Sequence, residues 1–571
     1  MEGQTETRYE PADKALLPGG ERPSADAIVA CEGVWKTFRL PYDRPYTLKQ
    51  RVLHPHRSRA ARRLDALRDV TFGIEPGEFF GVIGRNGSGK STLLKCLAGI
   101  YTPNRGEVIV KSRVSPFIEL GVGFNPELTA LDNVVVNASL LGIPPSVARQ
   151  RFPAIIRFAE LEEFVDLKLK NYSSGMFVRL GFAAAIQADA DIYLVDEVLA
   201  VGDAHFQEKC FEVFRRMKQT GKTVIFVTHG LETVEEFCDR ALLLERGEVA
   251  AIGHPADVIQ TYREHDAAEE QAERARQAEQ GAIESGLVQH PAVLVDADAL
   301  PTTTAAPQSV GWKHFLYVTA TLSASEFKLR YFGSFLGYLW TFLRPMIAFG
   351  VLYVVFTEIF KFGADVPHYA LMLLLGIVLH TFFSDATMSA LPSLVQRESL
   401  LRKVAFPRAA IPIAVSMTAA ANLVLGLLVV LGIAMLDGVE PSASWLVVFP
   451  LLAVLLLFSA SIAVLISVLF VRYRDVQPMW EVTIQLLFWA TPIIYMISFV
   501  PPRFRDIVMS NPLATVVQQG RHSLIDASEP SPAMVFGSRI DLLIPLGIVA
   551  VTAVVSLVVY RHLASRIAEE L

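Results

Sequence analysis

At 571 residues with 52% apolar side chains, the chain is longer than a single core organises, and a mean hydropathy of +0.37 is unusual for a soluble enzyme. A net charge of −6 gives no reason to expect nucleic acid as partner, since binding phosphate backbones usually needs a basic face. The four cysteines, Cys31, Cys96, Cys210 and Cys238, show no metal-type spacing and read as reduced thiols facing the cytosol.

In chain order, residues 1–25 are polar and Pro/Gly-rich, with no apolar run of the kind a signal peptide carries, and are expected to form a disordered tail. Ala27 to Phe38 has a strand pattern; Phe38 is either a stacking partner for adenine or an ordinary packing residue. Leu40 to Leu64 is strongly basic and partly amphipathic, which suits either a solvated face or a helix near anionic headgroups.

Phe79 to Thr92, FFGVIGRNGSGKST, runs an apolar strand into Gly84, Asn86, Gly87, Ser88, Gly89, Lys90, Ser91 and Thr92. This fills the pattern G-x-x-x-x-G-K-[ST] ahead of a helix and is a nucleotide phosphate cradle. Its glycines let backbone N–H groups converge on phosphate oxygens, Lys90 reaches the outer phosphates, and the Ser91 hydroxyl suits Mg²⁺. Phe117 to Asn133 suggests a loop in which Glu119 is the polar residue nearest a γ-phosphate sensor. Asn171 to Ala185 is a Ser/Gly turn opening a helix, where Ser173 alone is simply a good N-cap. The buried-type strand Ile192 to Val195 delivers Asp196 and Glu197 at its C-terminal end. Asp196 suits Mg²⁺, and Glu197 suits the role of base for the attacking water. Thr223 to Val227 is a further strand ending at Thr228 and His229, and His229 is a candidate γ-phosphate contact.

In this order the pieces resemble the nucleotide-binding domain of ABC transporters, over about Ala27 to Arg263. GRNGSGKS is similar to the Walker A motif, YSSGM to the signature, IYLVDE to Walker B and His229 to the switch histidine. The resemblance implies that Ser173 and Gly175 touch the γ-phosphate of ATP held by a second copy's Lys90. Ser174 and Met176 depart from LSGGQ, and the usual Q-loop glutamine is missing. Both departures resemble the subfamily that exports cell-surface polysaccharides.

Residues 264–310 read as a linker, with an exposed Ala/Glu/Arg helix and the tether PTTTAAPQ. Beyond it, six apolar segments of spanning length are expected at Phe335 to Phe360, Tyr369 to Leu391, Ile411 to Leu436, Trp445 to Val471, Met479 to Val500 and Leu542 to Tyr560. Arg397, Arg402, Lys403, Arg408, Arg472, Arg474, Arg561 and Arg566 then fall inside, as the positive-inside rule asks. Gly311 to Tyr331 reads as an interfacial helix, and Gln396 to Arg408 as a coupling helix docking on the ATPase. Pro501 to Asp541 suggests short re-entrant helices. Trp340, Phe382, Phe383, Phe488, Trp489 and Tyr495 are candidates for lining a sugar path.

GSFLGYLWTFLRPM and NPLATVVQQGR also resemble polysaccharide ABC exporters. The expected fold is an α/β P-loop ABC-type nucleotide-binding domain, 26–263, followed by an all-α six-helix transmembrane domain, 311–571. The resemblance implies a homodimer in a bacterial inner membrane, with the cassette in the cytosol. It also implies ATP and Mg²⁺ as cofactors, and export of a lipid-linked polysaccharide such as O-antigen, galactan or teichoic acid, with glycan synthesis enzymes as further partners. A drug or lipid exporter, or an ATP-gated scaffold for glycan synthesis, is the alternative.

Overall fold

A strand that is apolar at every position must be covered on both faces, and that requirement places the centre of the cassette. The computed structural model describes residues 21–41, 61–117, 121, 123–187, 190–196, 204–228, 230–268, 311–331, 335–361, 366–564 and 567. Its strands are β1 (Val29–Pro41), β2 (Ala61–Ile74), β3 (Phe79–Ile83), β4 (Arg105–Val110), β5 (Val114–Phe117), β6 (Ile192–Asp196), β7 (Thr223–Val227), β8 (Arg240–Glu245) and β9 (Glu248–Gly253). The main sheet runs β5-β6-β7-β3-β8-β9, parallel except for the β8–β9 pair. Every residue of β3 and β7 is buried.

The cassette helices are α1 (Lys90–Leu97), α2 (Ala130–Leu140), α3 (Pro145–Ala159), α4 (Ser174–Ile186), α5 (Ala204–Gln219) and α6 (Leu231–Phe237); α1, α4, α5 and α6 cover the main sheet, and α2 and α3 pack against each other and on α4. A phenylalanine-rich cluster of Phe79, Phe182, Phe206, Phe214 and Phe226 fills one face. Phe72, Phe80, Leu93, Leu194 and Ile225 fill the other. The second sheet, β2-β1-β4, is antiparallel. Both ends of the basic segment are strand rather than helix, with Leu40 facing Arg62 and Pro41 facing Ala61. Its centre lies outside the described residues. All four cysteines are buried free thiols. Burial pushes Cys31 up and takes Cys210 and Cys238 to about 12, so they are poor nucleophiles.

The second half is helical: α7 (Trp312–Tyr331), α8 (Phe335–Tyr353), α9 (Tyr369–Ala390), α10 (Ala410–Leu436), α11 (Val448–Arg472), α12 (Val476–Ala490), α13 (Pro502–Ser510), α14 (Pro512–Gly520) and α15 (Leu543–Leu563). Among the described residues, four helices are long and apolar enough to cross a membrane: Tyr369–Ala390, Ala410–Leu436, Ala443–Arg472 and Ile540–Leu563. Two expected spans look different. α8 passes into a π turn at Val354–Ile359, and Met479 to Val500 is not one helix, because α12 stops after 15 residues at Ala490. Pro492 cannot continue an α-helix, and 15 residues rise only about 22 Å against a hydrocarbon core of about 30 Å. The chain turns there into α13 and α14, which both open with proline in the first turn.

Candidate functional site: a phosphate cradle joined to a membrane bundle

Strand β3 delivers the phosphate loop at the C-terminal edge of the main sheet, where ligands of open α/β sheets bind. Two glycines are dictated by close approach: a Cβ on Gly84 would lie 2.2 Å from the Leu244 carbonyl oxygen, and one on Gly89 would lie 2.4 Å from that of Ala66. Both also have left-handed backbone, φ 148 and 110. Lys90 opens α1 and is 6% exposed. Its ammonium donates to the carbonyls of Gly84 at 2.6 Å and Arg85 at 2.9 Å, so the loop holds the charge in place. No side chain caps α1, which leaves its first N–H groups to a ligand.

The fit to a triphosphate rests on Ser88. Its hydroxyl is buried without a hydrogen-bond partner inside the loop, a costly arrangement that an added oxygen relieves. Gly87, at φ 80, has nothing within 4 Å of its Cβ position, so the cradle is open on that side. Ser91 and Thr92 follow in the first turn of α1, with Ser91 exposed.

Asp196 is the last residue of β6, level with Val227 of β7, which is itself level with Val82 of β3. Two strand spacings of about 4.8 Å separate these rows, so Asp196 and the loop after Ile83 share one edge. A hydroxyl and a carboxylate form a hard-oxygen set of the kind Mg²⁺ takes. Glu119, Glu197 and His229 lie outside the described residues. Ser173 caps α4, accepting from the Met176 N–H at 3.2 Å. Ser173 is exposed and Gly175 half-buried, and Gly175 has only the Ser173 hydroxyl within 4 Å of its Cβ position, at 3.9 Å.

Phe38 packs edge-on against Tyr101, with ring centroids 5.4 Å apart and planes at 72°. The buried Lys36 ammonium sits 5.3 Å and 5.4 Å from the two rings and donates to the Thr102 carbonyl at 2.7 Å. Sequence reading missed Lys36 and Tyr101. They meet because β1 pairs with β4, Trp35 opposite Arg105, and no local pattern signals that pairing.

The cassette meets the membrane bundle through α2. Val136 and Leu140 pack with Val318 and Leu322 of α7 and with Leu400, Leu401, Val404 and Phe406. Polar contacts fix the same seam. His314 bonds the carbonyls of Ser139 and Leu140 at 3.0 Å and 3.2 Å, the hydroxyls of Ser139 and Thr321 are 3.0 Å apart, and Lys328 pairs with Asp132 at 2.6 Å. Arg408 donates to the Ile100 carbonyl at 3.2 Å. Gln396 to Arg408 is therefore not one helix but two short turns, Ser393–Gln396 and Glu398–Leu401, followed by a bend. Arg397, which breaks them, pairs with Glu326 of α7. Burial lowers its guanidinium to about 10.

Of the path candidates, Phe383 is 1% exposed and stacks on Phe458 at 5.5 Å, so it is core rather than lining. Phe382 is 4% exposed; Trp489 is 59% exposed. Phe488 packs edge-on against His380 at 5.0 Å, and Tyr495 donates to the carbonyl of Trp489. The side chain of Trp340 lies outside the described residues.

Comparison with known proteins separates the same two parts. A model described as ABC transporter matches residues 67–200, and one described as ABC-2 type transporter matches 317–525. The chain is 43% identical over 247 residues to the O-antigen export system ATP-binding protein RfbB of Myxococcus xanthus, covering 42% of this chain and 56% of that protein. It is 40% identical over 242 residues to the protein of the same name from Klebsiella pneumoniae, covering 42% of this chain and 98% of that one. Against the teichoic acids export ATP-binding protein TagH of Listeria monocytogenes, identity is 42% over 199 residues, 35% of this chain and 59% of the relative. The chain thus spans little more than half the length of the Myxococcus and Listeria relatives and nearly all of the Klebsiella one. It belongs to the polysaccharide-exporting ABC transporters, with an ATP-binding cassette, an ATPase coupled to transport, fused to an ABC-2 type membrane domain in one polypeptide.

Proposed function

We propose that two copies of this chain form an ATP-driven exporter of a lipid-linked polysaccharide in a bacterial inner membrane, with both cassettes in the cytosol. Each ATP is held by Gly84, Asn86, Gly87, Ser88, Gly89, Lys90, Ser91 and Thr92 of one copy and by Ser173 and Gly175 of the other, with Phe38 against adenine. Ser91 and Asp196 would hold Mg²⁺, which supplies charge neutralisation on the phosphates. Glu197 accepts the proton of the attacking water, His229 contacts the γ-phosphate, and Lys90 carries positive charge to it. The six expected membrane segments make one domain per copy, and the path runs between the two domains.

The observation that carries this reading is the seam at α2, where one cassette helix is held between α7 and Glu398–Leu401. Closure of the cassettes on ATP moves that helix, and Gln396 to Arg408 passes the movement to the spans. The test is Glu197→Gln in the full chain. Retained ATP, lost turnover and lipid-linked glycan accumulating on the inner side are expected; export persisting without turnover would point to a scaffold. Turnover stimulated by small amphiphiles, with normal surface glycan after gene deletion, would point to a drug or lipid exporter.

A further inference from the structure

The helix that follows the phosphate loop is held by the membrane domain at its far end. α1 carries Lys90 at its start and has eight residues, about 12 Å from the loop to its last turn. Leu93, Leu94 and Leu97 bury one face of it with Phe80, Val82 and Ile225 of the main sheet, so helix and sheet move together. The last turn is closed by Gly99, at φ 70, and by the Ile100 N–H, which donates to the Lys95 carbonyl at 2.9 Å, as in other glycine-ended helices. Ile100 is buried, and its carbonyl accepts from Arg408 at 3.2 Å.

The other arm of that guanidinium reaches the last span. Arg408 also donates to the carbonyl of Ala564, which caps the C-terminal end of α15, and the adjacent Ala409 N–H donates to the Tyr560 hydroxyl at 3.1 Å, one turn back along the same helix. Ile567, just beyond, is buried among Leu400, Leu401, Val404 and Phe406. One cation therefore lies between two helix C-termini, where partial negative charge collects. The two carbonyls are taken by different nitrogens, Nη2 and Nη1, a span that the single nitrogen of a lysine does not reproduce.

The seam at α2 grips another part of the cassette. α2 packs on α3 and α4 through Ala130, Val134, Ile155 and Leu180, whereas α1 packs on the sheet. The membrane domain thus holds two packing units of the cassette at once, and a change in their relative position either breaks one contact or moves α15.

We infer that Arg408 is a positioning residue for coupling: it ties the far end of the phosphate helix to the inner end of α15, so that the last span follows the nucleotide site directly, beside the route through α2. The inference rests on the proposed reading of the chain as a pump whose cassette drives its spans.

The test needs no glycan. All four native cysteines are buried, so a fluorophore attached through His562→Cys, at an exposed position in the last turn of α15, labels the full-length protein selectively in nanodiscs. Its emission is read with and without MgATP, together with ATP turnover. The parent should switch between two emission states on MgATP. In Arg408→Gln the ratio of those states should shift about tenfold less, the worth of one charged hydrogen bond, with turnover at saturating ATP within about twofold of the parent and unchanged size exclusion. Arg408→Lys should match it, since the charge stays and the fork is lost. A full response in Arg408→Gln overturns the assignment. So does a full response in Arg408→Lys alone, which would make the residue a basic anchor on anionic headgroups. A tenfold loss of turnover in both variants would make Arg408 a mere support of α1 and overturn it too. A parent whose emission ignores MgATP while ATP is turned over overturns the pump reading first and this contact with it, so the two failures are told apart.

Discussion

Two membrane helices of similar length invert the rule that orders soluble proteins. Tyr369–Ala390 has a mean hydropathy of 1.6 and is 78% buried, whereas Ile540–Leu563 has 2.8 and is 17% buried. In the cassette the relation runs the other way, since the wholly apolar strands β3 and β7 are wholly buried. The difference is the solvent. Water drives apolar surface inward, but lipid tails are as apolar as leucine, so a membrane core selects for close packing and hydrogen bonding. The helix at the centre of the bundle accordingly carries Gly376, against which Ile493 packs, and Thr387, whose hydroxyl accepts from the Trp480 indole at 3.0 Å.

The largest expected break lies in the cassette, where one buried charge serves chemistry. Lys90→Ala should lower ATP turnover about a thousandfold, the scale of a lost transition-state donor. A shift of the unfolding midpoint under about 2 °C would show that the loop still closes. Undiminished turnover would remove the cradle from the mechanism.

The inversion itself is tested by a pair. Phe383→Ala, in the core of the bundle, should cost about 3 kcal/mol, read by thermal unfolding in one lipid mixture. Val554→Ala, on a side chain 60% exposed, should stay within about 0.5 kcal/mol. Equal losses would mean that the exposed face of α15 is covered in the working assembly, and would assign that face to the partner copy.

How much of this was legible followed the same division. The phosphate loop was readable because its glycines answer backbone demands, Gly84 beneath Leu244 and Gly89 beneath Ala66, and those demands are local and exact in spacing. Asp196 was readable because a buried parallel strand announces its own end. Phe38 was half readable: an aromatic pattern showed the ring, but Lys36 and Tyr101 arrive through β-pairing that no short stretch encodes. In the membrane half, hydropathy located the four long helices and said nothing about which is central. It also ran on through Thr491 and Pro492, where α12 ends, because an apolar turn packed inside protein reads like an apolar helix. That turn is held by Arg521, whose guanidinium donates to the carbonyls of Ile493 at 2.7 Å and Tyr495 at 3.2 Å. Lipid could not satisfy those groups. The segment Gln396 to Arg408 stood out by its charges, and its break at Arg397 escaped notice because the partner, Glu326, lies on another helix.

That partner supplies the next test, at the boundary between the two solvents. Arg397→Leu leaves Glu326 without its cation; the arginine is 22% exposed, so the loss should be about 2 kcal/mol rather than the larger values of fully buried pairs. Export should fall more than ATP turnover, because the seam rather than the cradle is loosened. Adding Glu326→Leu should recover most of the stability. If stability returns and export does not, the pair is a positioning element for coupling; if both return together, it only holds the fold.

The smallest effect belongs to the water-facing side, where screening weakens charge. Glu160 ends α3 and accepts from Lys209 of α5 at 2.7 Å and from Arg179 of α4 at 3.0 Å, and its side chain is 38% exposed. The hydrogen bond from Lys209, followed by the charges of Lys209, Arg179 and His205, holds its carboxyl below the ordinary glutamate range. A carboxylate lowered on folding adds stability above its unfolded value near pH 4.3, and that stability is lost as pH falls through the lower folded value. Glu160→Gln should therefore cost a few tenths of a kcal/mol at pH 7, discounted for exposure. The gap between variant and parent should close as the pH falls below the ordinary glutamate range, and high salt should shrink it at neutral pH. A gap that survives both acid and salt would trace instead to packing of the glutamate stem, whose backbone sits in the left-handed region at φ 59. Glu160→Gly, which relieves that conformation, would then restore what the charge could not.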